Sequence, residues 1–293
     1  MDRAAIDWTT DVVVAALARE ETIDPVALTF LLRRFAATDS DQLRDALRHV
    51  LEPALARGLE RGALADAAGE RARWLMLFAE AFDLSGDERL PGAASVLIAA
   101  LRSDWGRNAD VDRAAESVEG CLVAAHLVDR HAVVPAAIDE LERVAGSAYR
   151  VGEGLSGGGV AGHVRLASAL LTAYEITERL PYSMLAEELL QFVRRTSWNG
   201  ELGRFVEPGH DDRSSFVVNC DAARVFVRLA ALHRMEGYRA RAVVAPGAAY
   251  DDEAARILNA LTGCYQEFGI ASAAYGLALM EWEDLQFQSQ STI

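Results

Sequence analysis

Apolar residues recur at helical spacing along nearly the whole chain, and no stretch keeps the two-residue alternation of a half-buried strand. Several predicted helix starts carry capping signals: Asp24 followed by Pro25, Ser40 with Asp41, and Asp110. The pattern predicts an all-α protein. The twelve predicted main helices cover about 11–20, 24–36, 39–58, 68–83, 87–103, 110–128, 132–146, 164–178, 180–197, 216–235, 250–264 and 268–282.

Two kinds of helix alternate along the chain. Helix 180–197 is amphipathic, with Glu187 and Glu188 on its polar side, whereas helices 164–178 and 216–235 are apolar almost all round. A helix that is apolar on every side must be buried on more than one side. Alternation of the two kinds predicts concentric layers of six outer–inner helix pairs, an (α/α)6 toroid with about 45 residues per pair. The alternative is an open α-solenoid of stacked pairs.

Domain organisation follows from this arrangement. We expect residues 1–293 to form a single helical domain, with a loose tail over 284–293 that lacks a clear pattern. Segment 236–247 is the main weakness, because it could be a helix of its own and would then break the count of twelve.

The pairing places all outer-to-inner connections on one face, and these connections are the long ones. The two longest, 147–163 and 198–215, each contain a histidine, at least one carboxylate, an arginine and an aromatic residue. Only two predicted helices separate them, so both should lie on the same face. Long loops in compact domains are usually functional. The alternative is that both are solvated surface loops.

Within these loops His163 stands at the mouth of an inner helix with Arg165 just inside, which is a plausible acid–base and anion-holding arrangement. Three aromatic residues of the long-loop face could stack on sugar rings or simply anchor the loops: Trp105, Tyr149 and Trp198.

Two polar residues interrupt the apolar helix 216–235. Asn219 and Asp221 need partners if they are buried, and they could either brace the loops or line a cavity. Arg224, one turn beyond Asp221, is the simplest partner for that aspartate.

Composition excludes several classes of function. The net charge is -15, which argues against binding to nucleic acid or to an anionic membrane. No lysine occurs, so lysine-dependent chemistry such as Schiff-base formation is excluded. The three cysteines are widely spaced and no HExxH motif occurs, so neither a metal nor another cofactor is expected. Without a signal peptide or an apolar run of membrane length, the protein is expected to be soluble and cytoplasmic.

Two aspartate pairs, Asp211-Asp212 and Asp251-Asp252, are similar to the aspartate-rich motifs of terpenoid enzymes, but neither extends to DDxxD. The second pair has the simpler interpretation of acidic residues at a helix N-terminus. A natural-product cyclase is therefore kept only as a second alternative.

The second half of the chain resembles a known family. The resemblance spans about residues 160–282 and implies a toroid. The runs concerned are 162–170, 185–189, 198–205, 218–223 and 229–233. They resemble the helical C-terminal region of the thioredoxin-domain YyaL family, which is similar to the six-hairpin glycosidases and to N-acylglucosamine 2-epimerase. The chain has no thioredoxin domain and no redox CxxC, and its first half does not match.

Similarity to the epimerases implies a sugar in a central cavity and two histidines as acid and base, parts that His163 and His210 could play. The sequence thus predicts an enzyme that acts on a carbohydrate or similar small molecule with epimerase-like or hydrolase-like chemistry. Glu201 or Asp211 is the alternative acid or base. Substrate-binding candidates are Trp105, Tyr149, Arg165, Trp198, Arg204, Arg213 and Asn219. The main alternative is a non-catalytic helical-repeat protein that binds a partner or ligand; the oligomeric state is left open.

Overall fold

The helices were placed in a computed structural model. It describes residues 3–19, 24–61, 68–107, 110–207, 209, 211–242 and 244–290. Over these residues the regular secondary structure is helical apart from two short hairpins. The α-helices are α1 Arg3–Ala18, α2 Pro25–Thr38, α3 Asp41–Arg61, α4 Ala68–Ser85, α5 Leu90–Ser103, α6 Val111–Val123, α7 Arg130–Ala148, α8 Val160–Thr177, α9 Leu180–Ser197, α10 Asp212–Arg234, α11 Glu236–Ala242, α12 Tyr250–Leu261 and α13 Ser272–Gln290.

Each hairpin consists of two antiparallel strands of two residues. Strand β1 (Tyr149–Arg150) pairs with β2 (Gly154–Leu155), and β3 (Trp198–Asn199) pairs with β4 (Arg204–Phe205). Two 3-10 helices, Ala124–Leu127 and Tyr265–Ala271, complete the described elements.

The chain divides into two compact units. The first unit contains residues 10–147, and the second contains residues 1–9 together with 148–293. The single domain expected from the sequence stays a prediction.

In the first unit α4 is the central helix, packed against both α2 and α6. Gly120 of α6 lies so close to α4 that a Cβ atom there would come within 2.9 Å of the Ala72 carbonyl oxygen. Helices α3 and α5 pack on each other, and they also pack on α2 and α4 respectively. The observed order therefore follows the predicted alternation of inner and outer helices.

In the second unit α10 is central, packed against α8 on one side and α13 on the other. Helix α9 covers α8, and α12 covers α10. In the middle of both α8 and α10 the residues that are not buried are spaced three and four positions apart, at Ala161, Arg165 and Ser168 of α8 and at Asp221, Arg224, Arg228 and Ala231 of α10. The prediction that these helices are buried on more than one side is confirmed.

Some details of the predicted elements are wrong. Helix α1 begins at Arg3, and Glu236–Ala242 forms the extra short helix α11 that the sequence left open. The predicted loose tail is wrong as far as Gln290, because α13 continues to that residue. Leu285 is buried there, and its carbonyl oxygen accepts a hydrogen bond from Arg234 (2.6 Å).

Candidate functional site

The two hairpins lie where α7 leads into α8 and where α9 leads into α10, and they are built alike. Each begins with an aromatic residue and ends on a buried apolar one, Leu155 or Phe205. Two-residue strands are too short to show a period in the sequence, so only the structure reveals them.

His163 of α8 braces the first hairpin. Its Nε2 accepts a hydrogen bond from the Leu155 N–H (2.9 Å), and its Nδ1 donates to the Gly159 carbonyl (2.8 Å). The ring is 2% exposed and stacks on Phe192 with 5.1 Å between centroids. Because Nε2 accepts, the imidazole is neutral with its proton on Nδ1. Both nitrogens are therefore engaged, which favours a positioning role for His163 over the predicted role in proton transfer.

This environment makes stability depend on pH. Burial lowers the pKa of His163 below its ordinary value of 6.5. Below about pH 6.5 His163 binds a proton in the unfolded chain but not in the folded chain. The free energy of unfolding therefore falls by up to about 1.4 kcal/mol for each unit by which the pH is lowered. We expect His163→Gln, which cannot titrate, to lose less stability than wild type between pH 7.5 and 5.5 in urea unfolding. The exposed His131→Gln variant is the control; equal losses in all three proteins would contradict the assignment.

Asn219 of α10 braces the second hairpin. Its Oδ1 accepts from the Phe205 N–H (2.8 Å), and its Nδ2 donates to the carbonyl oxygens of Phe205 (3.0 Å) and Ser215 (2.9 Å). The residue is 1% exposed. Of the two roles left open by the sequence, bracing the loop accounts for both hydrogen bonds with Phe205, whereas substrate binding stays a prediction.

Glu207, which the sequence analysis missed, joins the two loops. It follows the second hairpin, and its Oε2 accepts from the Val160 N–H at the start of α8 (3.0 Å). A carboxylate in that position satisfies a free helix N–H and favours the helix dipole. Gly159 leaves room for it, since a Cβ atom there would lie 1.9 Å from Glu207 Oε1. Nothing in the sequence near Val160 signals this partner, which is 47 residues away.

Charged residues follow the partly exposed stripe of the inner helices in the second unit. Arg165 of α8 pairs with Asp221 of α10 at 3.3 Å, and Arg228 of α10 pairs with Glu175 of α8 at 3.0 Å. The pair with the higher residue number on α8 also has the higher residue number on α10, so the two helices run in the same direction. We call this set the inner stripe: Arg165, Ser168, Thr172, Glu175, Asp221, Arg224, Arg228 and Glu281.

The predicted partner of Arg224 is wrong. Its guanidinium donates to Glu281 of α13 through two nitrogens, at 3.0 and 2.8 Å, which leaves Asp221 to Arg165. Of the three ion pairs in the inner stripe, Arg165–Asp221 is the longest. It is also the pair nearest the helix ends that carry the hairpins, so a ligand could engage it with the least rearrangement.

The inner stripe has the chemistry that polyhydroxylated ligands require. A guanidinium offers five donors and a carboxylate only acceptors, while each sugar hydroxyl both donates and accepts. The Arg165 and Asp221 side chains are 18% and 22% exposed, so they combine a fixed geometry with access from solvent.

The other predicted residues are spread more widely. The Tyr149 hydroxyl bonds to Glu188 of α9, and burial together with this bond raises the pKa of Tyr149 to about 12. Trp198 packs edge-on against Phe205, with 5.3 Å between centroids. Arg204 is half-buried in β4, and Glu201 is exposed in the turn of the second hairpin.

The remaining candidates are not gathered at one point. Asp211 caps α10, where its Oδ1 accepts from the Ser214 N–H (2.7 Å). Arg213 is exposed in the first turn of that helix, and His210 lies outside the described residues. Trp105 belongs to the first unit, where its indole N–H donates to the Ser117 hydroxyl (3.0 Å). Of the predicted site residues, Arg165 lies on an inner helix beside a partly exposed carboxylate of the neighbouring inner helix, that of Asp221.

Within the described part of the chain, no three histidine, cysteine or acidic side chains converge as a metal ion would require. Among the same residues, no helix combines the length and the apolar character needed to cross a bilayer.

Solved structures define the class of fold. The chain matches a crystal structure of an unsaturated glucuronyl hydrolase specific for heparin, with a TM-score of 0.67 and 12% identity over 97% of this chain and 98% of that one. It also matches the GH76A α-1,6-mannanase from Salegentibacter sp. HEL1_6, with a TM-score of 0.61 and 10% identity over 96% and 99% of the two chains.

An inactive variant of that mannanase, with two aspartates replaced and in complex with α-1,6-mannotriose, matches equally well (TM-score 0.61). No family model matches the sequence. No curated protein matches it either.

These likenesses show the fold, and the predicted all-α (α/α)6 toroid is confirmed. The predicted resemblance to six-hairpin glycosidases is supported for the fold alone, because these structures are 12% and 10% identical to the chain. Kinship with the YyaL family or with the epimerase stays a prediction.

Proposed function

We propose that the protein is a hydrolase-like enzyme acting on a carbohydrate, which it binds at the hairpin-bearing end of the second unit. The observation that carries this proposal is the partly exposed Arg165–Asp221 pair on the inner helices (3.3 Å). The fold supports it, because two proteins named as sugar hydrolases share this fold over nearly the whole chain.

Hydrolysis is preferred over epimerisation because of the residues available for proton transfer. Most glycoside hydrolases use two carboxyl groups, one to protonate the leaving oxygen and one to activate water or attack the sugar. Asp221 in the inner stripe and Glu201 in the second hairpin are our candidates for these groups. An epimerase with two histidines would need His163, and both of its ring nitrogens already hold the backbone. His210 remains a further candidate acid or base.

Binding roles follow from charge and position. Arg165 would hold sugar hydroxyls or a sugar carboxylate next to Asp221, since a guanidinium binds carboxylates through two parallel hydrogen bonds. Arg204, Arg213, Tyr149 and Trp198 are candidates for contacts further along an oligosaccharide. The braced hairpins would keep this surface fixed before the ligand arrives.

A second candidate function is a non-catalytic carbohydrate-binding protein. The observation that favours it is that the three inner-stripe carboxylates, Glu175, Asp221 and Glu281, each have an arginine partner. Such pairing suits recognition without a free acid or base.

Product analysis separates the two functions. We expect wild-type protein to cleave an oligosaccharide from a panel that includes α-1,6-mannotriose and unsaturated glucuronyl disaccharides, with products identified by mass spectrometry. Asp221→Asn should lower the rate at least about 100-fold, because acid–base groups typically contribute that much. Asp252→Asn, at an exposed position in α12, is the matched control.

Binding without cleavage by wild type would favour the non-catalytic protein. Failure to bind any sugar of the panel, or equal activity of Asp221→Asn and Asp252→Asn, would contradict the proposed enzyme.

A further inference from the structure

The first unit contains a cavity of about 270 Å³ that the proposed function does not use. Its wall is formed by the C-terminal halves of α2 and α4, the middle of α3 and the turn that leads into α5. Arg73, near the start of α4, forms an ion pair with Glu116 of α6. Ala81 lies in the cavity wall, eight residues further along α4 than Arg73. At 1.5 Å per residue that separation is about 12 Å.

The interior of the cavity is apolar. Leu32, Leu55, Phe78 and Leu90 line it, and all four are at most 5% exposed. An apolar cavity of about 150 Å³ accommodates benzene, which has six carbon atoms. In proportion, about 270 Å³ accommodates roughly ten non-hydrogen atoms. The cavity therefore suits a short hydrocarbon chain or a small ring with a side arm.

The mouth of the cavity is charged. The Arg89 guanidinium is fully engaged, since it donates to both oxygens of Glu52 (2.7 and 2.8 Å) and to Asp87 (2.6 Å). Arg48, one helical turn before Glu52 on α3, also lines the cavity. It forms no hydrogen bond or ion pair with the residues that the structure describes. Arg48 interacts electrostatically with Glu52, and the charges of Arg48, Glu52, Asp87 and Arg89 sum to zero, so what Arg48 offers a ligand is its guanidinium donors.

We propose that this cavity binds a medium-chain monocarboxylate the size of octanoate, with the hydrocarbon chain among Leu32, Leu55 and Phe78 and the carboxylate on Arg48. Octanoate has ten non-hydrogen atoms, which matches the volume. An uncharged chain would leave Arg48 unused, and a cationic head group would meet its repulsion. The cavity shares no residue with the inner stripe, so this proposal does not depend on the proposed carbohydrate function.

Titration calorimetry with octanoate tests the proposal. We expect saturable binding of one octanoate per chain, weakened about three- to fivefold by Arg48→Ala, as an exposed ion pair is worth. Arg48→Glu should weaken it further, whereas Arg48→Lys should preserve it. Octanol should bind equally to wild type and to the Arg48 variants. Arg239→Ala, an exposed arginine of the second unit, is the matched control and should leave octanoate binding unchanged.

A second variant tests the cavity itself. Ala81→Leu adds three carbon atoms to its wall and should weaken octanoate and octanol alike, with a cooperative melting curve as evidence that the variant folds. Three results would overturn the proposal: no saturable binding of octanoate to wild type, equal binding by Arg48→Glu, or undiminished binding by folded Ala81→Leu.

Discussion

Replacement of Glu187 by alanine is expected to lower the free energy of unfolding by about 3–5 kcal/mol, since its buried carboxylate accepts three hydrogen bonds and bonds to a charged group are worth about 1.5–3 kcal/mol each. The Glu187 side chain in α9 is 0% exposed. Its carboxylate accepts from the N–H groups of Val244 and Ala245 (both 3.0 Å) and from the Tyr250 hydroxyl (2.8 Å). His233 Nε2 lies 3.2 Å from the same carboxylate. The variant would leave the two N–H groups and the Tyr250 hydroxyl without their acceptor.

Urea unfolding followed by circular dichroism measures this loss. Glu153→Ala removes an exposed glutamate from the first hairpin and should cost less than about 0.5 kcal/mol, as surface changes usually do. A loss below about 1 kcal/mol for Glu187→Ala would show that water replaces the carboxylate and that the network does not hold segment 244–250.

The second large effect is expected at Gly154 in the first hairpin. Its φ is +73°, and a Cβ atom would lie 2.5 Å from both His163 Nε2 and Phe192 Cε1. Gly152 of the same hairpin has a similar φ of +78° but open space around it. Both alanine variants suffer the backbone strain of about 1–2 kcal/mol. Only Gly154→Ala must also displace the stacked rings, at a further cost of about 1–3 kcal/mol.

The difference between the two variants is therefore the informative quantity. We expect thermal unfolding to show Gly154→Ala less stable than Gly152→Ala by at least about 1 kcal/mol. Equal losses would mean that the hairpin moves freely away from His163, which would contradict the brace on which the site depends.

The sequence predicts the helices well because helical periodicity is local. Predicted helix 132–146 corresponds to α7 and predicted helix 164–178 to α8, with boundaries that differ by a few residues. The alternation of amphipathic and apolar helices also predicts which of them are inner, since burial on several sides requires apolar residues on several sides.

The site was harder to predict because its contacts join distant residues. The helical pattern places Glu187 on the polar side of its helix, yet the residue is buried. Its carboxylate accepts hydrogen bonds from groups that lie 57 to 63 positions further along the chain. His163 has the residue type of a catalyst and the contacts of a brace, and only the backbone N–H of Leu155 distinguishes the two. Asp221 could be recognised as a polar residue in an apolar helix, but its partner on α8 could not.

The central claim is that a carbohydrate binds beside Arg165 and Asp221. Thermal unfolding with α-1,6-mannotriose and unsaturated glucuronyl oligosaccharides tests it most directly, in wild type, Arg165→Leu and the exposed control Arg239→Leu. A sugar present at 100 times its Kd should add about 2.7 kcal/mol of stability. We predict that at least one of these sugars raises the melting temperature of wild type and of Arg239→Leu, and that Arg165→Leu loses most of that rise. An equal rise in all three proteins, or no rise in any, would contradict the claim.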